Sequence, residues 1–206
     1  MRQTENALVS GVSLLFLISG AAALVYQVAW QRILFAVFGA DLESVTIIVS
    51  AFMLGLGVGS IAGGLLADRF PRGALMLFAA LEAGIGLFGL FSPGLLRWAG
   101  AQLVQADLAV VALVNFLLVL VPTLLMGATL PILVADLSRR WKSVGRSTGV
   151  LYAANTMGAA LGAMLAGFVL YWFVTLDTSI RLAAAANIAV ALGMVVLLKN
   201  ASRETP

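Results

Sequence analysis

Long apolar runs broken by short polar clusters dominate this chain, and each run is long enough to cross a bilayer. A span needs about 20 mostly apolar residues. The first runs over about residues 8–25, with the pattern continuing toward Phe38 through Gln27, Gln31 and Arg32. The second covers about residues 45–67, after Asp41 and Glu43 mark a turn, and the third about residues 74–91. Three more follow at about 108–134, 148–174 and 180–198. Ser92-Pro93-Gly94 is expected to end the third span, because proline cannot donate in a helix. The stretch Leu95 to Asp107 then reads as a short interfacial segment. The pattern predicts an all-α integral membrane protein in which residues 1–206 form one transmembrane domain.

Composition sharpens this picture. Of 206 residues 62% are hydrophobic and only 10% charged, which is far from the soluble globular average. The small-residue run Ser19-Gly20-Ala21-Ala22-Ala23 has the look of a signal-peptide cleavage site, but the apolar pattern runs on through it and is taken as a span. So much membrane leaves no room for a soluble catalytic domain of about 100 residues. Cys and His are both absent, which removes disulfides, thiolate metal sites and imidazole acid–base chemistry. Neither an enzyme, nor a metal site, nor any cofactor is expected.

The basic residues carry topology. Arg2, Arg69, Arg72, Arg139, Arg140, Lys142, Arg146, Lys199 and Arg203 fall on one side, and Arg32, Arg97 and Arg181 on the other. Under the positive-inside rule, nine against three places both termini in the cytoplasm, in a multi-pass inner-membrane protein. The same residues are spread over several short connections, so no nucleic-acid partner is expected beside the lipid bilayer.

Glycine spacing is the clearest internal pattern. Gly55, Gly59 and Gly63 recur every four residues in the second span, and Ala154, Gly158, Gly162 and Ala166 do so in the fifth. Such stripes let helix backbones approach closely. They serve either packing within the chain or contact with a second copy, as a homodimer through the Gly-rich helices. Their place in the middle span of each three-span half suggests a 3+3 inverted repeat.

Glu82 is the one carboxylate well inside a span. A charge there costs at least ~2.5–3.5 kcal/mol, so such a residue faces a cavity, finds a partner or takes up a proton. Two roles stand open: coupling or binding of a cationic group, and a structural tie to a neighbour such as Asn115 or Asn155. Tyr26 is the other proton-handling candidate. Gln27 and Gln31 share a helix face and, with Tyr26 and Arg32, either line a cavity or mark the interface, where Arg32 snorkels and Trp30 anchors. Asn115, Asn155 and Asn187 put one amide in each of the last three spans, as interhelical glue or cavity lining. Pro122 and Pro131 flank Gly127 in the fourth span and mark a hinge or unwound backbone, with Thr123 or Thr129 available to repair a freed carbonyl.

The segment Gly64-Leu65-Leu66-Ala67-Asp68-Arg69-Phe70-Pro71-Arg72-Gly73 resembles the loop between the second and third helices of major facilitator transporters, Gly-x-x-x-Asp-Arg-x-Gly-Arg, with Pro71 where that family has Gly. The resemblance implies that Asp68, Arg69 and Arg72 lock helix ends in one conformation and release them in another. Four further motifs resemble the membrane half of fused spermidine-synthase-like proteins. They are Ser19 through Arg32, Leu81-Glu82-Ala83-Gly84-Ile85-Gly86, Leu125-Met126-Gly127-Ala128-Thr129-Leu130-Pro131 and Gly149 through Ala159. Many members carry Glu where this chain has Gln27. In that family a facilitator-like membrane region precedes an aminopropyltransferase-like domain, and these residues lack its Gly-rich nucleotide loop.

The resemblance implies a facilitator-like half of six helices, spans one and four lining a path and spans two and five facing a second half. Two functions follow from it. One is a transporter half acting as a dimer on a small metabolite, cationic if Glu82 binds it. The other is a non-catalytic membrane subunit that docks a separate, soluble aminopropyltransferase-like protein at Arg139–Arg146 and the Asp68–Arg72 loop.

Overall fold

A computed structural model describes residues 2–38, 41–103 and 105–203. Those residues form α1 (Arg2–Phe38), α2 (Asp41–Arg69), α3 (Ala74–Gln102), α4 (Leu108–Trp141), α5 (Val144–Leu165), a π-helical segment (Ala166–Leu170), the single turn α6 (Tyr171–Phe173) and α7 (Leu176–Arg203). Among them six helices are long and apolar enough to cross a membrane. Helices satisfy every backbone group within the segment, which is what lipid demands. The fold is all-α, as the hydropathy pattern predicts.

Several boundaries differ from the sequence expectation. Ser92-Pro93-Gly94 does not end α3, which runs on to Gln102, so the expected interfacial segment is mostly the last turns of that helix. Proline lacks the N–H that would bond the Gly89 carbonyl, but the Ser92 hydroxyl donates to that carbonyl at 2.9 Å. The orphan acceptor is satisfied and the helix continues. The extension also moves Glu82 from mid-span to about 12 Å from the start of α3. Glu43 lies on α2, not in a turn. Arg139 and Arg140 belong to the last turn of α4, so the basic loop shrinks to Lys142 and Ser143. Lys142 adopts the left-handed conformation at φ 51°, which terminates α4, and the Ser143 side chain caps α5 by accepting from the Arg146 N–H. In α4 the backbone stays helical through Pro122 and Pro131, and no unwound segment interrupts it.

The helices pair as α2 on α4, α1 on α5, α3 on α7, α1 on α7 and α3 on α4. The glycine stripes make the first two pairings. A methyl on Gly59 would overlap the Leu124 carbonyl, and one on Gly162 the Ala21 carbonyl. Gly55 and Gly63 likewise meet Thr123 and Ala128 of α4, and Gly158 meets Leu17 of α1. These glycines are taken up by packing within the chain, the first of the two uses that their spacing allows. Apolar side chains of the same helices, including Met53, Val58 and Ile61 on α2 and Leu161 and Met164 on α5, point outward instead.

Two apolar clusters fill the bundle. One gathers Tyr26, Trp30, Phe52, Ile85, Leu96 and Ala184. The other gathers Val12, Phe16, Phe78, Leu133, Leu137 and Met194. Between them on α1, α3 and α7 sit three buried polar residues: Ser19, Glu82 and Asn187.

Candidate functional site

Glu82 is fully buried in the waist between the two clusters. Its Oε1 accepts from the Ser19 hydroxyl at 2.6 Å, and its Oε2 accepts from the Asn187 side-chain amide at 2.7 Å. A buried carboxylate is tolerated when both oxygens find donors. The tie runs to α1 and α7, not to Asn115 or Asn155 as the sequence suggests. Asn115 instead donates to the Val111 carbonyl of its own helix at 2.8 Å.

Ser19 also belongs to the wall of a cavity of about 400 Å³ framed by α1, α2, α4 and α5. Gln27, Ser60, Thr129, Tyr152, Asn155 and Thr156 supply its polar surface. Phe16, Phe52, Met126 and Leu130 supply the apolar part. Pockets that bind small molecules have this make-up, mostly apolar with a few converging polar groups. Among the described residues no Lys, Arg, Asp or Glu lines it, and the acid in contact with its wall is Glu82, one hydrogen bond behind Ser19. On the rim, Met53 and Tyr152 are 61% and 59% exposed, so the cavity opens on the flank of the bundle.

The structure divides the sequence-predicted residues. Gln27 and Asn155 line the cavity, and Glu82 stands behind it. Tyr26 turns to the other side of α1. There its ring stacks on Trp30 with centroids 4.9 Å apart, and its hydroxyl abuts Gly89 of α3. Gln31 lies half-buried one turn beyond Gln27 and is not part of the cavity wall. Arg32 is exposed and lines a separate cleft with Arg97, at the end where Arg97 pairs with Asp177 through a two-pronged ion pair. Gly127 lines the cavity and packs against the Gly55 and Leu56 carbonyls. Pro122 is buried and Pro131 half-buried on α4. Of the two threonines, the Thr123 hydroxyl lies within hydrogen-bond distance of the Val119, Leu120 and, across on α2, Ala51 carbonyls, while Thr129 donates to Met126 at 2.6 Å. Neither reaches the carbonyl of Leu118 or Gly127, the acceptors that the prolines leave.

At the opposite end, Asp68, Arg69 and Arg72 are exposed. Their loop is met by α4: Arg139 donates to the Pro71 carbonyl at 2.8 Å and lies 3.6 Å from Asp136, which also takes Arg140 at 2.7 Å. Ser19, Ser60, Tyr152 and Thr156 are the polar site residues that sequence reasoning passes over. Ser19 sits in a small-residue run that reads as packing, and nothing local marks its hydroxyl as the partner of an acid 63 positions away.

No family model matches the chain, and no solved structure matches it. It is similar to a polyamine aminopropyltransferase of Corynebacterium efficiens, 32% identical over 153 residues, which is 73% of this chain and 27% of that protein. It is also similar to polyamine aminopropyltransferase 2 of Streptomyces coelicolor, 29% identical over 185 residues, 87% of this chain and 32% of that protein. A third similarity is to a 3-(3-hydroxy-phenyl)propionate transporter of Escherichia coli, 34% identical over 140 residues, 66% of this chain and 30% of the transporter. The chain thus spans less than a third of the length of each of these curated relatives.

Proposed function

We propose that the chain is a facilitator-like transport half that works as a dimer in the inner membrane, with both termini cytoplasmic, on a small metabolite that Glu82 selects as a cation. The observation that carries this is the polar-lined cavity on the α1, α2, α4 and α5 flank with a buried acid one hydrogen bond behind its wall. An anchor has no use for either feature, and ionisable groups inside spans mark substrate or ion pathways. Similarity to a transporter agrees with it. A second copy placed over the flank would cover the polar rim and complete the enclosure. The helix pairings also support a 3+3 repeat. Exchanging α1 with α4, α2 with α5 and α3 with α7 carries the pairs α1–α5 and α3–α4 into α2–α4 and α1–α7, and α3–α7 into itself.

The test is uptake into proteoliposomes, native against Glu82→Gln. Polyamines and 3-(3-hydroxyphenyl)propionate, the solutes named for the relatives, are the first to assay. Native chain should accumulate the polyamines, and the variant should lose at least ~10-fold of that flux; accumulation of the carboxylate solute alone would contradict selection of a cation. Equal flux in both would remove Glu82 from the mechanism.

A second reading rests on the similarity to two aminopropyltransferases. In it the chain is a non-transporting subunit that docks a soluble transferase-like protein on the basic end formed by Arg72, Lys142 and Arg146. No uptake of any solute, together with retention of such a protein that is lost on reversing those three charges, would favour it.

A further inference from the structure

Ser19 touches both the cavity and the acid. Ser19 is 7% exposed and forms part of the cavity wall, and its hydroxyl donates to Glu82 Oε1 at 2.6 Å. Glu82 itself does not line the cavity. Its other partner, the Asn187 amide at 2.7 Å, is a donor that cannot pass a proton on. A hydroxyl is both donor and acceptor, so it can receive a proton on one side while releasing its own on the other.

We infer that Ser19 is the proton gate of Glu82, and that the charge of Glu82 sets which hydrogen-bond face Ser19 shows the cavity. This deepens the transport reading by giving its acid a route and a rule. A hydronium or other donor in the cavity gives one proton to Ser19 Oγ. The original Ser19 proton passes to Glu82 Oε1, the donor is left one proton poorer, and Ser19 ends as a neutral hydroxyl. Glu82 is then a neutral acid whose O–H donates to Ser19 Oγ, and the Ser19 proton turns toward the cavity. With Glu82 ionised the cavity meets a lone pair at Ser19; with Glu82 protonated it meets a donor. A solute offering N–H or O–H donors at that point therefore binds with the ionised acid, and one offering an oxygen acceptor binds with the proton. By linkage each solute shifts proton occupancy by the factor by which the proton shifts its own affinity.

The groups around the acid leave this route uncontested. The elements packed on α3 are α1, α4 and α7. The titratable side chain of α1 on this side is Tyr26, whose hydroxyl lies against Gly89, two turns along α3 from Glu82, and outside the cavity wall. α4 carries no charged residue between Leu108 and Val134, and α7 none between Arg181 at its outer end and Lys199. On α3 the other charged side chain is Arg97, committed to Asp177 near the helix end.

Infrared difference spectroscopy on the full chain in liposomes tests the gate without any substrate. A jump from about pH 9 to about pH 5 brackets buried carboxyl groups. Native chain should gain a protonated-carboxyl band that Glu82→Gln lacks. The band should rise at least ~10-fold more slowly in Ser19→Ala, which loses the relay hydroxyl, and at the native rate in Ser19→Thr, which keeps it. Should Ser19→Ala fail to fold, Thr156→Cys reacted with a bulky maleimide provides a plugged cavity with Ser19 intact, since the chain has no other cysteine. Plugging should slow the band to a similar degree. A native rate in Ser19→Ala or in the plugged chain, or no band assignable to Glu82, would overturn the gate. Uptake that depends on Glu82 with an ungated band would sink this inference and leave the transport reading standing; a gated band without uptake would do the reverse.

Discussion

The indole N–H of Trp30 donates to the Ser92 hydroxyl at 2.8 Å, and that hydroxyl donates in turn to the Gly89 carbonyl at 2.9 Å. One side chain thus repairs the gap that Pro93 leaves in α3 and fastens α3 to α1. Gly89 is part of the same arrangement, since a methyl there would strike the Tyr26 ring. Ser92→Ala should leave a buried indole N–H and a buried carbonyl unpaired. Hydrogen bonds between membrane helices average about 0.6 kcal/mol each, so we expect a loss of roughly 1–2 kcal/mol. Unfolding in mixed micelles measures it, and an unchanged midpoint would show that the bond carries no weight.

The glycines separate into crowded and open sets. Gly59→Ala and Gly162→Ala press a methyl into facing carbonyls and should each cost about 1–3 kcal/mol, as overpacking does. Gly57→Ala and Gly64→Ala meet open space and should be silent or slightly stabilising. Yields of folded protein across the four variants give the comparison. Crosslinks meant to report a dimer belong at the cavity rim, on Ser60→Cys or Thr156→Cys, because cysteines at Gly59 or Gly162 would face the chain's own helices.

Topology is open to direct labelling, because the chain has no native cysteine. A cysteine at Ser143, between α4 and α5, should be shielded from an impermeant maleimide in intact cells, and one at Asp107, ahead of α4, should react. The reverse pattern would invert the orientation.

The two-pronged contact between Arg97 and Asp177 ties the ends of α3 and α7, yet the side chains are 51% and 36% exposed. Asp177→Ala should therefore cost under about 1 kcal/mol and lose that effect in high salt. A thermal scan at two ionic strengths checks it.

What the residues disclosed about themselves follows physical lines. Six spans were legible because each carries its own apolar run, with no information needed from elsewhere. Glu82 was legible as a site because an acid in an oily segment is anomalous by itself. Its partners were not: Ser19 and Asn187 lie 63 and 105 positions away, and serines and asparagines inside spans serve many ends. The glycine stripes announced close approach but not the partner, since the groove they fit is a row of carbonyls on α4 and α1 that any helix could offer. Pro93 misled because the proline rule is local, and the Ser92 hydroxyl that overrides it acts only once the helix has formed. The locking role implied for Asp68, Arg69 and Arg72 involves a second conformation, and the one described here shows Arg139 bound to their loop.

Transport on this face requires the flank cavity to be an aqueous compartment within the membrane. Single cysteines at Gln27, inside the cavity, and at Leu113, which is 58% exposed on an outer face of α4, provide the direct measurement. Thiols react with a small water-soluble maleimide as thiolates, which form in water and not in lipid. In membrane vesicles the cysteine at position 27 should react at least ~10-fold faster than the one at 113. Equal, slow reaction at both positions would mean a dry cavity and would contradict a transport path on this face.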